Sequence, residues 1–330
     1  MSSARLPVID AHQHVWDVAA RPQPWLESAE ELAPLRRRFG ADDLCPLAER
    51  AGVVATVVVQ TVTEPGETPE LLALTIDDPQ RAPRAAAADP LLPASPPPPH
   101  APGGAEAGRP PLVRAVVGWT DLTAPDVADA IARLRELPGG PALAGIRHPL
   151  LTEPHPGWIS RPDVRRGLAA LGAAGLTFDL VLPPAMLPVA VSVAGANPGT
   201  VFVLDHLGNA ETGSGGVDTD WAAQLRAFAR QPNTVAKLSG LLGDIVPAGI
   251  EASAKRLRPW RDVALAAFGP ARLMFGSDWP VCTLTASYEE VVAVARELVS
   301  DLNPAEQAAV LAGTAQRVYR IGATAPGTRQ

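Results

Sequence analysis

Cysteine is scarce in this 330-residue sequence: only Cys45 and Cys282 occur, and two thiols so far apart do not make a disulfide framework. We therefore expect a protein of the reducing cytoplasm. A signal peptide is not expected, because residues 1–5 lead straight into an apolar strand segment. The longest apolar stretch, residues 180–196, is broken by prolines and is shorter than the roughly 20 residues of a membrane span. The sequence thus predicts a soluble protein without a membrane partner.

Clustered positive charge is also missing. The net charge is −7, and the 28 lysines and arginines are spread along the chain without a dense group. Binding to nucleic acid depends on such groups, so we expect no nucleic-acid partner. A hydrophobic content of 47% and a mean hydropathy of +0.08 are instead ample for a large buried core.

No glycine-rich phosphate loop follows the first strand segment, which argues against a doubly wound nucleotide-binding sheet. Short runs that are apolar throughout, as in strands buried on both faces, alternate with longer amphipathic stretches. About eight such units in series predict an α/β fold, a (β/α)₈ TIM barrel that forms a single domain over residues 1–330. The predicted strands are residues 7–12, 53–60, 113–119, 143–147, 176–182, 200–206, 234–237 and 272–276, and the predicted helices are residues 126–137, 163–174, 221–230, 261–268 and 288–298.

One segment, residues 81–111, breaks this alternation. Proline, alanine and glycine dominate it, and it has no apolar periodicity. Such a composition cannot bury enough surface to order itself, so we expect a disordered insertion. It follows the second helix and precedes the third strand, at the end of a barrel opposite the catalytic loops. We therefore assign no function to the insertion or to His100 within it.

The tripeptide His12-Gln13-His14 lies at the end of the first predicted strand. Successive side chains of a strand alternate between its faces, so the two imidazoles are expected to project to the same side. Two imidazoles in this arrangement can ligate a divalent ion or donate hydrogen bonds to a carbonyl oxygen. A purely structural pair is the alternative.

Other polar residues also fall where predicted strands end. Arg147 and His148 follow the fourth strand, His206 closes the sixth, Lys237 closes the seventh and Asp278 follows the eighth. Barrel enzymes collect their catalytic groups at the carboxyl ends of their strands. We therefore expect these side chains to meet the histidine pair at one end of the barrel.

The segments that carry these residues resemble motifs of the amidohydrolase superfamily. More narrowly, they resemble its lactonase branch, which includes sugar lactonases and 2-pyrone-4,6-dicarboxylate lactonases. The resemblance extends from about residue 7 to residue 319 and fails only in the proline-rich insertion. The matching segments are IDAHQHVW (residues 9–16), VVVQ (57–60), GIRH (145–148), LDHLG (204–208), KLSG (237–240) and FGSDWPV (275–281).

The resemblance implies a TIM-barrel hydrolase in which Asp278 activates the attacking water, while His12, His14 and His206 polarise the scissile carbonyl. Elementary chemistry agrees: an ionised carboxylate can accept a proton from water, and donors near the carbonyl oxygen stabilise the charge that develops there. Asp278 could instead cap a helix. Arg147 and Lys237 could be structural ion-pair partners.

Many members of the superfamily bind metal ions, and the resemblance raises that question here. The fifth predicted strand supplies no histidine and the fourth ends in Arg147, so a two-metal centre is not expected. His12, His14 and Asp278 could hold one divalent ion, such as zinc, because three ligands plus water suit a catalytic zinc. We therefore expect either no metal or one such ion.

The expected substrate is a small-molecule lactone, specifically a sugar lactone such as an L-fucono- or L-rhamnono-lactone. Hydroxyl groups call for polar partners, and sugar rings call for flat apolar surfaces. The alternatives are a 2-pyrone-4,6-dicarboxylate lactonase, a metal-dependent decarboxylase and a noncatalytic sugar-binding barrel, and a homo-oligomer is compatible with the sequence. The predicted substrate-binding residues are Arg147, Lys237, Gln60, Trp25, His148 and Trp279.

Overall fold

Parallel strands in sequence order, β1 to β8, form the centre of the computed structural model, which describes residues 6–76, 111–155, 157–213, 216–242 and 249–322. Within these ranges each strand pairs with the next, so the sheet curves into a nearly closed barrel, as predicted. The strands are β1 (Val8–Gln13), β2 (Val53–Val59), β3 (Val113–Gly118), β4 (Leu143–Pro149), β5 (Thr177–Val181), β6 (Val201–Leu204), β7 (Thr234–Leu238) and β8 (Leu273–Phe275).

Helices lie between the strands on the outside of the barrel. Residues 81–110 of the predicted insertion, including His100, lie outside the described residues. None of the helices in the described ranges combines the length and the apolar content that a membrane crossing requires. The helices are α1 (Ala41–Ala51), α2 (Glu67–Ala73), α3 (Val127–Glu136), α4 (Pro162–Ala173), α5 (Leu187–Ala196), α6 (His206–Asn209), α7 (Thr219–Ala229), α8 (Ile250–Phe268), α9 (Tyr288–Leu298), α10 (Pro304–Ala308) and α11 (Thr314–Val318), and a π-helical turn, Ala309–Gly313, joins the last two.

Local sequence explains where several helices begin and end. Ser287 caps α9 and Asn303 caps α10, each in a capping box with a glutamate three residues later. Gly52 ends α1 with φ +72°, a left-handed conformation that glycine adopts readily. The start of helix α8 was not predicted. Pro259 lies inside this helix, and the predicted helix, residues 261–268, covered only its second half.

Two apolar layers hold the barrel together. Small and branched side chains such as Ala11, Val57 and Val117 fill the interior, and Tyr319 packs against this group from the chain's last helical turn. Larger side chains, such as Phe178 and Leu257, fill the space between the strands and the helices. The narrow interior leaves the polar residues at the strand ends as the place for chemistry.

Candidate active site

Four predicted catalytic side chains meet at one end of the barrel. Oδ1 of Asp278 lies 3.6 Å from Nε2 of His12, 3.5 Å from Nε2 of His14 and 3.9 Å from Nε2 of His206. The two Nε2 atoms of His12 and His14 are 3.1 Å apart. A single carboxylate oxygen therefore faces three imidazole nitrogens, in the grouping that the strand-end pattern predicted.

A register irregularity in β1 places the histidines. The pairing of β1 with β2 shifts between Asp10 and Gln13. A regular strand would put Asp10 and His12 on the same face, but Asp10 contacts Tyr288 of an outer helix, whereas His12 contacts Lys237 inside the barrel. Bulges of this kind re-aim side chains near active sites.

Asp278 is held by the junction between the last strand and the first. Its backbone N–H donates to the carbonyl of His12 at 2.8 Å, and the N–H of His14 donates to the carbonyl of Trp279 at 2.7 Å. Asp278 adopts φ +60° and His206 adopts φ +53°. Left-handed backbone is costly for residues other than glycine and persists where the surroundings enforce it, commonly at functional sites.

The carboxylate of Asp10 secures the same junction. It is fully buried and accepts hydrogen bonds from the N–H of His12 (3.1 Å), the N–H and Oγ of Ser277 (2.8 and 2.6 Å) and the hydroxyl of Tyr288 (3.1 Å). Burial raises the pKa of Asp10 to about 6, although these hydrogen bonds oppose the increase. Asp10 thus joins the backbone of His12 to Ser277, the residue that precedes Asp278 in the sequence.

The electrostatics of the cluster favour an ionised Asp278. Burial alone would raise the pKa of Asp278, but His206, His14 and His12 lower it more, so it stays well below its usual range. Burial also lowers the pKa of His12 and of His206. An anionic carboxylate can accept a proton, and the surrounding N–H groups can donate to an oxygen that gains charge.

The tautomer of His14 follows from its second nitrogen. Nδ1 of His14 lies 2.7 Å from the carbonyl oxygen of Val59, which can only accept a hydrogen bond. Nδ1 therefore carries a proton and donates to this carbonyl.

A layer of buried charges lies beneath His12. Nζ of Lys237 is 2.7 Å from Oδ2 of Asp179 and 2.9 Å from Oδ1 of Asp205, and Nη1 of Arg147 is 3.2 Å from Oδ2 of Asp205. Burial raises the pKa of Asp205, but Lys237 and His12 outweigh this and keep it well below its usual range. Two cations and two anions thus neutralise each other within the barrel.

Three of the predicted substrate-binding residues lie in or against this layer of buried charges. Lys237 and Gln60 are fully buried, and Arg147 is 6% exposed. Arg147 donates to the backbone carbonyl and to Oε1 of Gln60 as well as to Asp205. Their role in binding substrate stays a prediction.

The other three predicted substrate-binding residues lie around the site. His148 stacks on Trp158 with ring centroids 3.7 Å apart, and its Nε2 lies 2.8 Å from Oε2 of Glu153. Trp25 is partly buried and packs edge-on against Trp16. Trp279 is 2% exposed, so its ring packs in the apolar layer and its backbone serves the barrel junction.

Several residues of the site had no predicted role. Asp10 and Asp205 lie within the motifs that carry the family resemblance, and their position next to the histidines was the available signal. Ser239, whose Oγ is 2.9 Å from Nδ1 of His206, likewise lies in the KLSG motif. Tyr319, which donates to Asp179 at 2.6 Å from near the end of the chain, gave no local signal.

The donor set fits a single divalent ion. Ligand atoms of His12, His14 and Asp278 all lie within 4.8 Å of one another. A tetrahedral zinc site with bonds of about 2.0–2.1 Å separates its ligands by about 3.3–3.4 Å, and the measured separations of 3.1, 3.5 and 3.6 Å bracket that value. The predicted trio is therefore confirmed as the place where one ion could be held.

A cavity of about 580 Å³ borders the site on its outer side. Asp278 and Ser239 lie on its rim, and apolar side chains of α8, α9 and the chain after β8 line most of its wall.

Comparison with known proteins agrees with this geometry. A family model described as amidohydrolase matches residues 106–321. An L-fucono-1,5-lactonase of Burkholderia multivorans is 34% identical over 321 residues, covering 95% of this chain and 96% of the relative. The chain belongs to the amidohydrolase family. The predicted family and hydrolase class are thereby confirmed.

Two further relatives of this amidohydrolase are informative. An L-fucono-1,5-lactonase of Burkholderia ambifaria is 32% identical, covering 95% of each chain. The crystal structure of an amidohydrolase from Burkholderia multivorans with bound zinc superposes with a TM-score of 0.76 at 33% identity, covering 95% of this chain and 99% of that one. The fold is therefore shared with this amidohydrolase along 95% of the chain.

Proposed function

We propose that this amidohydrolase opens a sugar lactone, of which L-fucono-1,5-lactone is the first candidate and an L-rhamnono-lactone the second. The observation that carries the proposal is the approach of one Asp278 oxygen to three imidazole Nε2 atoms at 3.5 to 3.9 Å. The two relatives named as L-fucono-1,5-lactonases, at 32% and 34% identity, support the choice of sugar.

In the proposed reaction Asp278 accepts a proton from water, and the oxygen of that water attacks the lactone carbonyl. The carbonyl oxygen gains negative charge, which N–H groups of the histidines and the guanidinium of Arg147 stabilise. The ring C–O bond then breaks, and the proton held by Asp278 passes to the departing ring oxygen. The products are a carboxyl group and a hydroxyl group, so atoms and charge balance.

The low pKa of Asp278 affects its roles as a base and as an acid in this reaction. A carboxylate of low pKa is a weak base, so the proposed reaction also relies on stabilisation of the charged carbonyl oxygen. The same low pKa makes protonated Asp278 an effective acid for the departing alkoxide. If a divalent ion is bound, His12, His14 and Asp278 hold it, and it supplies Lewis-acid polarisation of the carbonyl.

Recognition of the sugar is proposed to involve the His148 group. Nε1–H of Trp119 donates to Nδ1 of His148 at 3.2 Å, so Nε2 of His148 carries its proton and donates to Glu153. The N–H of His155 also donates to Glu153, at 3.0 Å. The remaining lone pairs of this carboxylate suit sugar hydroxyls, and the partly exposed ring of Trp119 suits a sugar face.

The charge layer weighs against the dicarboxylate alternative. A pyrone dicarboxylate requires cations that are free to pair with its two carboxylates. Asp205 pairs with both Arg147 and Lys237, and Asp179 pairs with Lys237. Neither cation carries an unbalanced charge that would favour such a substrate over a neutral lactone.

The test uses the full-length protein with a panel of lactones at constant pH, with acid release followed by a pH indicator and the spontaneous rate subtracted. The panel contains L-fucono-1,5-lactone, an L-rhamnono-lactone and 2-pyrone-4,6-dicarboxylate, and each is run with and without chelator. Asp278→Asn is expected to lower kcat by about 10² or more, because it removes the proton acceptor. The matched control is Asp129→Asn at an exposed position of α3, which should retain full activity.

The outcomes separate the candidates. Equal rates for Asp278→Asn and the unmodified protein would refute Asp278 as the base. Absence of turnover with every lactone would favour a decarboxylase or a sugar-binding barrel. Chelator sensitivity would show a required metal ion.

A further inference from the structure

Gln60 holds most of the guanidinium of Arg147. Its Oε1 accepts hydrogen bonds from Nε of Arg147 at 3.3 Å and from Nη2 at 3.1 Å, and its backbone carbonyl accepts a further hydrogen bond from Nη2. In return, Nε2 of Gln60 donates to the backbone carbonyl of Arg147 at 3.3 Å. Both residues are buried, so water has little access to these contacts.

The chemistry of the contacts determines the orientation of the Gln60 amide. The nitrogens of a guanidinium only donate, so the atom that faces Nε and Nη2 of Arg147 must be the amide oxygen. The amide nitrogen then faces the Arg147 carbonyl, which only accepts. A flipped amide would place donor against donor and acceptor against acceptor. Gln60 therefore binds both the side chain and the main chain of Arg147.

This pairing leaves one nitrogen of Arg147 for the site. Nε and Nη2 direct their N–H groups at Gln60, and Nη1 carries the remaining ones. Nη1 lies 3.2 Å from Oδ2 of Asp205 and 3.4 Å from Nε2 of His12. Nε2 of His12 is in turn 3.6 Å from Oδ1 of Asp278. Nη1 is thus the part of the guanidinium that borders the catalytic group.

The barrel brings Gln60 to a strand that is not its neighbour. Gln60 follows β2 and Arg147 belongs to β4, with β3 between them. Side chains of alternate strands share a layer inside a TIM barrel. Asp205, which follows β6, also contacts Arg147. The three residues therefore form a row across the interior.

The chain around Gln60 is itself held in place. The N–H of Gln60 donates to the carbonyl of Val117 in β3 at 2.8 Å. The buried carboxylate of Glu67 accepts hydrogen bonds from the N–H and the hydroxyl of Thr61, the next residue along the chain. Gln60 thus reaches Arg147 from a well-supported segment, as a positioning role requires.

We propose that Gln60 is a positioning residue, which holds Arg147 so that Nη1 donates to the lactone carbonyl oxygen as that oxygen gains charge. A donor placed before the reaction stabilises such charge without a cost of reorganisation. This role replaces the direct contact of Gln60 with substrate that the sequence suggested. The reaction step rests on the proposed function, whereas the hold of Gln60 on Arg147 does not.

The first experiment therefore uses no lactone. In the full-length protein labelled with ¹⁵N-arginine, a guanidinium held by several acceptors gives separate, slowly exchanging N–H signals in NMR spectra, whereas a free one gives averaged signals. Arg147→Lys identifies the signals of Arg147 by their loss. We expect separate signals in the unmodified protein and averaged signals in Gln60→Met. Averaged signals in the unmodified protein, or separate signals in Gln60→Met, would overturn the proposal.

The matched control is Gln316→Met, at an exposed position of α11, which should leave the Arg147 signals unchanged. Gln60→Asn, which keeps the amide but withdraws it by one methylene group, takes the place of Gln60→Met if that variant does not fold. The same averaging of the Arg147 signals is expected for it.

The second experiment separates positioning from substrate binding. Gln60→Met is expected to lower kcat for the hydrolysed lactone about tenfold and to change KM by about twofold or less, because the held N–H acts on charge that develops only in the transition state. A raised KM with full kcat would show a direct contact with substrate and refute the proposal. If no lactone is hydrolysed, the proposed function fails and the spectra decide the role of Gln60.

A double-mutant cycle tests whether Gln60 acts through Arg147. Arg147→Lys keeps the buried positive charge but loses the forked contact with Gln60. Adding Gln60→Met to Arg147→Lys should lower kcat by a further factor of about two or less, because the partner that Gln60 positions is already gone. Losses of kcat that multiply in the folded double variant would refute the proposal.

Discussion

Oδ2 of Asp10 accepts a 2.6 Å hydrogen bond from Oγ of Ser277, and this contact joins the first strand of the barrel to the chain that follows the last. The ladder between β1 and β8 is reduced to an isolated bridge at Gln13 and Trp279. The Asp10 carboxylate therefore supplements the two backbone hydrogen bonds that cross this junction. Because His12 and Asp278 flank the junction, its geometry decides the distance between them.

Asp10→Ala is expected to lower the free energy of unfolding by about 2–4 kcal/mol, because it leaves several buried donors without an acceptor. Activity should fall by more than the loss of folded protein explains, since Asp278 is no longer fixed against His12. Urea unfolding and kcat/KM at low temperature measure the two effects. Ser277→Ala, which keeps the backbone hydrogen bond to Asp10, should cost less, and equal stability of Asp10→Ala and the unmodified protein would contradict this role.

The stability contribution of Asp10 should depend on pH. Its pKa is raised from 3.8 to about 6 in the folded protein, so its ionisation favours the unfolded state. The contribution is complete below pH 3.8 and is lost as the pH rises through 6. Relative to Asp10→Asn, the unmodified protein should gain about 2 kcal/mol of unfolding free energy between pH 7 and pH 4. A difference that does not change with pH in parallel urea titrations would refute the raised pKa.

Gly240→Ala should disturb His206. Gly240 has φ +65°, and a Cβ there would lie 2.7 Å from Nδ1 of His206, where Ser239 now bonds. The left-handed backbone alone costs about 1–2 kcal/mol, and displacement of the ring should lower kcat by about tenfold. Gly199→Ala is the control, because its Cβ meets nothing within 4 Å. Full kcat in Gly240→Ala would show that the position of His206 is unimportant.

Glu153→Gln should affect recognition rather than chemistry. The carboxylate accepts from His148 and from the His155 N–H, and its free lone pairs are the proposed partners of sugar hydroxyls. We expect KM for a polyhydroxylated lactone to rise about tenfold with little change in kcat, and no change for a lactone without hydroxyl groups. Glu136→Gln, at an exposed position of α3, is the matched control. An equal effect on both lactones would contradict a contact with the hydroxyls.

Local patterns account for the strands and for the predicted catalytic group. Each predicted strand overlaps an observed one, because strands buried on both faces are apolar throughout. The sixth strand ends at Leu204 instead of His206, since His206 adopts a left-handed backbone that no propensity foretells. Helix α8 begins at Ile250, before the predicted start, because the tertiary contacts of the barrel tolerate Pro259 inside it.

The sequence by itself determined the barrel, the end of the barrel that carries chemistry, and the meeting of His12, His14, His206 and Asp278, because strand order and side-chain alternation are local properties that a closed sheet converts into proximity. Only the tertiary structure decided that Lys237 and Arg147 are neutralised by Asp179 and Asp205. Lys237 and Asp179 are 58 residues apart, as are Arg147 and Asp205, so their pairing depends on which strands become neighbours and on which side chains share the buried layer. Charge partners inside a barrel are chosen by distance in space and by the cost of burying an unpaired charge, and neither quantity can be read from one strand alone.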